Sequence, residues 1–401
     1  MKKFFCIFFF SLAATVCFSC SDNGSNETML PQEPDSEESI NPGADGNYDN
    51  IGIEYDDGTN IVMHVKIAID KEGWDMRDET FFKTGLKKQW EGINERFNGL
   101  DKKGKLQRNY IFIPDLDDII LYNFNDNKEA PAGSHWEVTR WHSDRIDLKK
   151  FQILVSYDFA IQEEEEVGKS GGHGDSNGLS NILVINPGEQ NVGKFYDHFS
   201  DAANTVAAIT HELGHCRGVI DTYLCRVNSK NNPVSGQGFE PEKGNMNNPY
   251  PSLDKCEWSE YEMRVINLNG AKKQQYLCYY CVHDWFPDII EFDVTENGEP
   301  VTNCVLNVYK MSDYKIHPTP VKTYAFSGGI LRKNSKDIFW HGSAAWSYYN
   351  MVLIEVINDK TQNKAYSFMP AYELHNQGII DKFENKLTNS IFKRSIDIKK
   401  R

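Results

Sequence analysis

The sequence predicts an α+β fold: a mixed sheet with helices packed beside it, followed by a small all-β sandwich. Three observations carry that prediction. Short apolar runs bounded by turn residues recur through the first two thirds of the chain and read as strands. Between them lie two segments of helical period, and a helix packed beside a mixed sheet is the α+β pattern. Beyond about Pro287 the texture changes to alternating strands separated by turns, with hardly a helical period until the end.

Taken in order, Lys2 and Lys3 precede an apolar run from Phe4 to Phe18 that is too short to span a membrane as a mature helix. Residues 1–19 therefore read as a targeting segment to be left out of the fold. The run ends in "CFSCSDN", where Ser19 precedes Cys20. This resembles the lipobox of bacterial lipoproteins, which implies cleavage before Cys20 and lipidation of its thiol. Ser21 after the cysteine implies residence in the outer membrane, and Asp22 is compatible with surface exposure. An ordinary secretory signal with an incidental cysteine is the alternative. Residues 20–57 are rich in Ser, Asn, Asp, Glu, Gly and Pro, with almost nothing apolar to bury, and are expected to form a disordered acidic tether.

The folded part divides into residues 58–286 and 287–401. In the first, "NIVMHVKIAID" is β-branched and alternating, a strand over about 60–70. Next, Phe82, Leu86, Trp90, Ile93 and Phe97 recur at spacings of three and four, the mark of an amphipathic helix. Strands follow in "RNYIFIP", "KFQILVSYDF" and "SNILVINP". A second helix is bounded by Ser200 as N-cap, Asp201 at its positive end and Gly218 as stop, with Ala203, Val206, Ala207 and Leu213 able to face the sheet. In the second part, "DIIEFDVTENGEP", "CVLNVYKM", "VKTYAFSGG" and "SYYNMVLIEVIND" are strands, with a turn at Asn297-Gly298.

A formal net charge of −15 excludes the phosphate-neutralising surface that nucleic-acid binding needs. Of nine cysteines, Cys6 and Cys17 leave with the signal and Cys20 takes lipid. Cys216, Cys225, Cys256, Cys278, Cys281 and Cys304 remain, and disulfides are expected among them. Fifteen connectivities are open. "CYYC" at 278–281 has a metal half-site or redox pair as its other reading.

The helix ending at Gly218 carries the chemistry, in "THELGHCRGVIDTYL". His211 and His215, at i and i+4, lie on one face about a turn apart and reach a single cation. Glu212 lies on the adjacent face, where it can hold a water without binding the metal. A catalytic zinc takes three protein ligands and leaves one position for water. Gly218 can adopt the positive φ that ends a helix sharply, so Asp221 can return as the third ligand. Glu240 and Glu242 are the alternatives for that role.

His211, Glu212, His215, Gly218 and Asp221 together resemble the extended motif of the metzincin metallopeptidases, HExxHxxGxx followed by His or Asp. Aspartate as third ligand looks like the snapalysin-type minority. The resemblance implies a metzincin-like catalytic domain over 58–286, with a Met-turn beneath the metal at Met246 in "KGNMNNPYPS" and a closing helix in "SEYEMRVIN". Tyr250 and Tyr223 are the candidates for substrate or oxyanion contact. "GGHGDSNGLSNILVI", with His173 and Asp175, distantly resembles the structural-zinc loop of matrix metalloproteinases; its plainer reading is a glycine-rich loop before an edge strand on which extended substrate pairs. The acidic run 163–166 is a solvated loop or a weak Ca2+ site. His135, His142, His198 and His283 read as surface or core histidines.

What the resemblance implies is a zinc-dependent endopeptidase of extracellular or envelope proteins. It would use one catalytic Zn2+, with Glu212 as general base on a zinc-bound water. The expected partners are a protein or peptide substrate and, through the N-terminal lipid alone, a membrane; the chain is expected to be a monomer. Two other readings stand beside it: a catalytically inactive surface lipoprotein that binds glycan or protein through its β domain, and a zinc amidase acting on peptidoglycan.

Overall fold

The computed structural model describes residues 53–75, 77–122, 153–157, 171–176, 181–186, 205–270, 282, 285–339 and 351–399, with only the backbone described for 53–55, 72, 171–176 and 181–186. The signal, Cys20 and most of the expected tether lie outside these residues. So do Ser200, Asp201 and Ala203, the acidic run 163–166, His135, His142, His198, His283, Cys278 and Cys281. No helix among the described residues is long and apolar enough to cross a membrane.

The architecture is α+β, with three sheets and few helices among the described residues. The first sheet is built around β2 (Asn60–Asp70), whose inward residues Ile61, Met63, Val65, Ile67 and Ile69 are buried. One edge of β2 pairs in parallel with β3 (Asn109–Tyr122). The other is shared by β1 (Ile53–Asp56), antiparallel, and β4 (Ile153–Tyr157), parallel. β6 (Asn181–Asn186) continues the parallel run beyond β4, and β5 (Gly171–Ser176) closes the sheet antiparallel to β6.

Four of these strands correct the sequence reading. β1 falls inside the stretch 20–57 expected to be tether. Its hairpin to β2 is built by Asp56 and Asp57, whose carboxylates accept from the amides of Gly58, Thr59 and Asn60, with Gly58 at φ +85°. β5 is the glycine-rich segment itself, where a loop was expected; β6, expected at the edge, is interior. Backbone pairing needs no side chain, so a run of glycines can form a ladder while showing none of the alternation that marks a strand in sequence. β3 also runs further than "RNYIFIP" suggests. The buried Lys66 on β2 reaches Asp115 at 3.0 Å and Asp118 at 2.7 Å, compensating acidic residues that argue against a strand.

Helix α1 (Lys71–Trp74) is a single turn after β2. Helix α2 (Glu79–Gly99) is capped by Asp78, whose side chain accepts from the Phe81 amide, and buries Phe82, Leu86, Trp90, Ile93 and Phe97 as the periodicity predicts. Its C-terminal turn anchors the chain that returns from the functional site. The Trp258 indole donates to the Phe97 carbonyl at 2.8 Å, the Trp258 amide to the Leu100 carbonyl at 2.9 Å, and Arg96 to the Pro251 carbonyl at 3.0 Å. Helix α3 (Thr205–Cys216) packs on α2, β5 and β6, with Val206, Ala207 and Leu213 buried.

The C-terminal part holds two sheets. One runs β10 (Lys315–Ile316), β9 (Asn303–Ser312), β13 (Met351–Asn358), β14 (Lys364–Pro370), with β11 (Lys322–Ser327) also on β9. The other runs β12 (Ile330–Asn334), β7 (Ile289–Glu296), β15 (Ile391–Ile398), with β8 (Glu299–Pro300) also on β7. Asn297 and Gly298 both take positive φ, 54° and 86°, as a two-residue primed hairpin turn requires. This part is not all-β: a short helix, α5 (Ser335–Phe339), follows β12, and α6 (Ala371–Ile379) runs into a π-helical turn, Ile380–Glu384. α6 packs on α4 (Glu260–Asn269), the helix read from "SEYEMRVIN". Tyr261 and His375 hydrogen-bond there at 2.8 Å, and Arg264 meets Glu384 at 2.7 Å.

The expected disulfides are not formed among the described cysteines. Cys216, Cys225, Cys256 and Cys304 are separate buried thiols. Burial pushes the Cys216 and Cys225 thiols up to about 12 and Cys304 to about 11, so they act as small apolar side chains in the core.

Candidate metal centre

α3 ends in a Schellman arrangement. The Val219 amide donates to the Gly214 carbonyl at 3.1 Å and the Gly218 amide to the His215 carbonyl at 2.8 Å, with Gly218 at φ +85°. This reversal returns the chain across the helix face, burying Val219 and Ile220 and bringing Asp221 onto the two histidines. Asp221 Oδ1 lies 3.0 Å from His211 Nε2 and 3.3 Å from His215 Nε2. All three side chains are buried, with Asp221 fully enclosed.

The other imidazole nitrogens are held by main chain. His215 Nδ1 lies 2.7 Å from the Val219 carbonyl and His211 Nδ1 lies 3.3 Å from the Asn245 carbonyl. A carbonyl accepts, so each Nδ1 carries a hydrogen; once the ring is neutral this leaves the Nε2 lone pair for a metal, the tautomer a ligating histidine needs. The three ligand atoms lie within 4.8 Å of one another, and no other such group of His, Cys, Asp or Glu occurs among the described residues. Donors around a tetrahedral zinc stand roughly 3.4 Å apart, so two imidazoles and a carboxylate at these separations fit a single cation. Glu212 is buried beside them, near enough for its charge to help raise His215.

The electrostatics describe an ion pair in the metal-free chain. Burial by itself would push Asp221 up, but the His215 charge and hydrogen bonds from both imidazoles hold it well below the carboxylate range. Burial by itself would lower His215; Asp221, Glu212 and the Val219 carbonyl outweigh it and push it up to about 9. The raised His215 stabilises the fold fully below its ordinary 6.5 and loses that contribution as pH rises through about 9. The depressed Asp221 stabilises above its ordinary 3.8 and loses its contribution as pH falls. A metal needs the neutral imidazole, so binding must displace the His215 proton. Zinc affinity is therefore expected to rise about tenfold per pH unit up to roughly pH 9. Titration calorimetry at pH 7 in buffers of different ionisation enthalpy should show about one proton released per zinc.

Met246 is fully buried under this helix. A Cβ added at Gly214, between the two histidines, would stand 2.9 Å from Met246 Sδ and 3.3 Å from Trp258 Cη2. Gly214→Ala is expected to destabilise the chain by about 1–3 kcal/mol through overpacking, although alanine is the better helix former. Chemical denaturation of the metal-free chain measures it; unchanged stability would show that Met246 does not press on the helix.

Of the remaining predicted residues, Tyr223 comes nearest the centre, buried with its ring 6.3 Å from that of His211. Tyr250 lies half-buried in the turn after Met246, its amide donating to Asn248 Oδ1 at 3.3 Å. Glu240 is engaged by Arg226 at 2.9 Å, and neither it nor Glu242 joins the ligand group, which rules out both as the third ligand in this arrangement. His173 and Asp175 lie in β5. The sequence reading missed Asn245 and Glu262, which support the centre from behind. Ser259-x-x-Glu262 is legible as a capping box, and both of its hydrogen bonds form, but nothing in sequence marks the further work Glu262 does.

No protein-family profile matches the sequence, and no curated protein does. Among solved structures, two crystal forms of wild-type OgpA from Akkermansia muciniphila align over 78% of this chain and over 92% and 91% of theirs, at 12% identity. Their TM-scores are 0.29 and 0.28.

Proposed function

We propose that the chain is a zinc-dependent endopeptidase whose metal ligands are His211, His215 and Asp221. The observation that carries this reading is the convergence of three buried donors with Glu212 alongside, each imidazole held at Nδ1 by a main-chain carbonyl. A bound zinc would supply Lewis acidity to a water and to the substrate carbonyl.

The chain's own residues then have separate tasks. Glu212 holds the attacking water by its proton, accepts that proton as the water adds to the carbonyl, and delivers it to the leaving amine. Asp221, fully buried, would offset the charge of a bound metal. The Asn245 and Val219 carbonyls keep both rings in register. Among the described residues β5 is the last strand of the sheet and packs beside α3, so an extended peptide adding to its outer edge would run past the centre. An envelope location through lipidated Cys20 belongs to the same proposal.

Metal analysis of the purified chain followed by a peptide-library digest, with and without Glu212→Ala, tests this reading. It predicts one zinc per chain and cleavage that the substitution removes. Stoichiometric zinc without cleavage of any peptide would point to a binding lipoprotein or to an amidase with another substrate.

A further inference from the structure

Glu262 lies on α4, away from the three ligands in sequence, and is fully buried. Its Oε1 accepts from the Met246 amide at 2.8 Å, and its Oε2 accepts from the Asn245 amide at 3.1 Å and the Ser259 amide at 2.7 Å. Gly244 is built around this contact: a Cβ there would stand 2.4 Å from Glu262 Oε1. The turn 244–246 is thus bound to a carboxylate rather than to neighbouring backbone alone.

That turn touches the support of every ligand. The Asn245 carbonyl holds His211 Nδ1. The Met246 carbonyl accepts from the amides of Thr222 at 3.2 Å and Tyr223 at 3.4 Å, the two residues after Asp221. Met246 Sδ sits against Gly214, in the helical turn between His211 and His215. A shift of a few tenths of an ångström in this turn would move the His211 ring, the Asp221 backbone and the helix together.

We infer that Glu262 is a positioning residue for the metal centre, acting through the 244–246 turn to set the ligands in the geometry that binds a single cation. The inference rests on the zinc reading above. Three converging N–H donors call for an acceptor at both oxygens, so the amides of Met246, Asn245 and Ser259 favour the carboxylate against the burial that pushes Glu262 up. Glutamine in its place turns an NH2 group toward amide donors and breaks one side of the clamp at almost no change in volume.

The test uses the full chain. Zinc affinity is measured by chelator competition, and the visible d–d absorption of the Co2+-loaded chain reports ligand geometry. Both are read for wild type, Glu262→Gln and Gly244→Ala, after circular dichroism has established that each is folded. Wild type is expected to bind one zinc. Glu262→Gln should bind it 10- to 100-fold more weakly, the range for loss of a hydrogen bond behind a ligand, with an altered Co2+ spectrum. Gly244→Ala reaches the same contact from the turn side and carries the same expectation if the glutamine variant does not fold. Wild-type affinity and spectrum in either folded variant would overturn the inference. So would collapse of the fold in both, which would make the contact a support of the whole domain. A wild-type chain that takes up no zinc defeats the metal reading first, and this inference with it.

Discussion

Asp221→Ala is expected to abolish stoichiometric zinc uptake and to destabilise the metal-free chain by about 3–5 kcal/mol at pH 5.5. The carboxylate is fully enclosed, and one of its oxygens serves both imidazoles at 3.0 and 3.3 Å. Removing it leaves two donors for a metal that needs three. Affinity should fall by more than the 10- to 100-fold that loss of an outer hydrogen bond costs. The stability loss has a pH signature. At pH 5.5 His215 is left as a buried cation without its anion; at pH 8 the imidazole escapes the penalty by giving up its proton. The destabilisation should therefore shrink as pH rises, which urea denaturation in chelator at the two pH values will measure. An equal loss at both would mean that His215 is not the charged partner.

Glu212→Gln separates binding from chemistry. Glutamine matches glutamate in volume, so the helix and the ligands should stay in place and the chain should still take up one zinc. On the proposed mechanism, what disappears is the group that accepts and returns the proton. Turnover is expected to fall by about 10²- to 10⁴-fold with little change in KM, the range for loss of a positioned general base. That corresponds to roughly 3–5 kcal/mol of barrier. A variant that keeps zinc and full turnover would remove Glu212 from the mechanism.

The site was legible in sequence because its elements are local. Two histidines one helical turn apart, a glycine where the helix must end and an aspartate three residues later encode the convergence within eleven positions, and Gly218 at φ +85° does what a glycine there implies. α2 was legible because its apolar stripe has a single period. The edge strand β5 was not, because backbone pairing of "GGHGDS" depends on β6 lying beside it and not on the residues themselves. Glu262 was not because its partners are 16 and 17 residues upstream, and only the fold brings the Met246 and Asn245 amides to its carboxylate. The cysteines misled for a related reason. An even count suggests pairs, but pairing needs thiols brought face to face, and Cys216, Cys225, Cys256 and Cys304 are each buried as separate thiols.

The most direct measurement is mass-spectrometric analysis of a peptide library incubated with the zinc-loaded full chain and with Glu212→Gln at matched zinc content. The account predicts internal cleavage by the wild type, its loss on addition of chelator and its return with zinc, and little or none in the variant. Wild-type chain holding one zinc that leaves every peptide intact, or cleavage undiminished by the substitution, would contradict it.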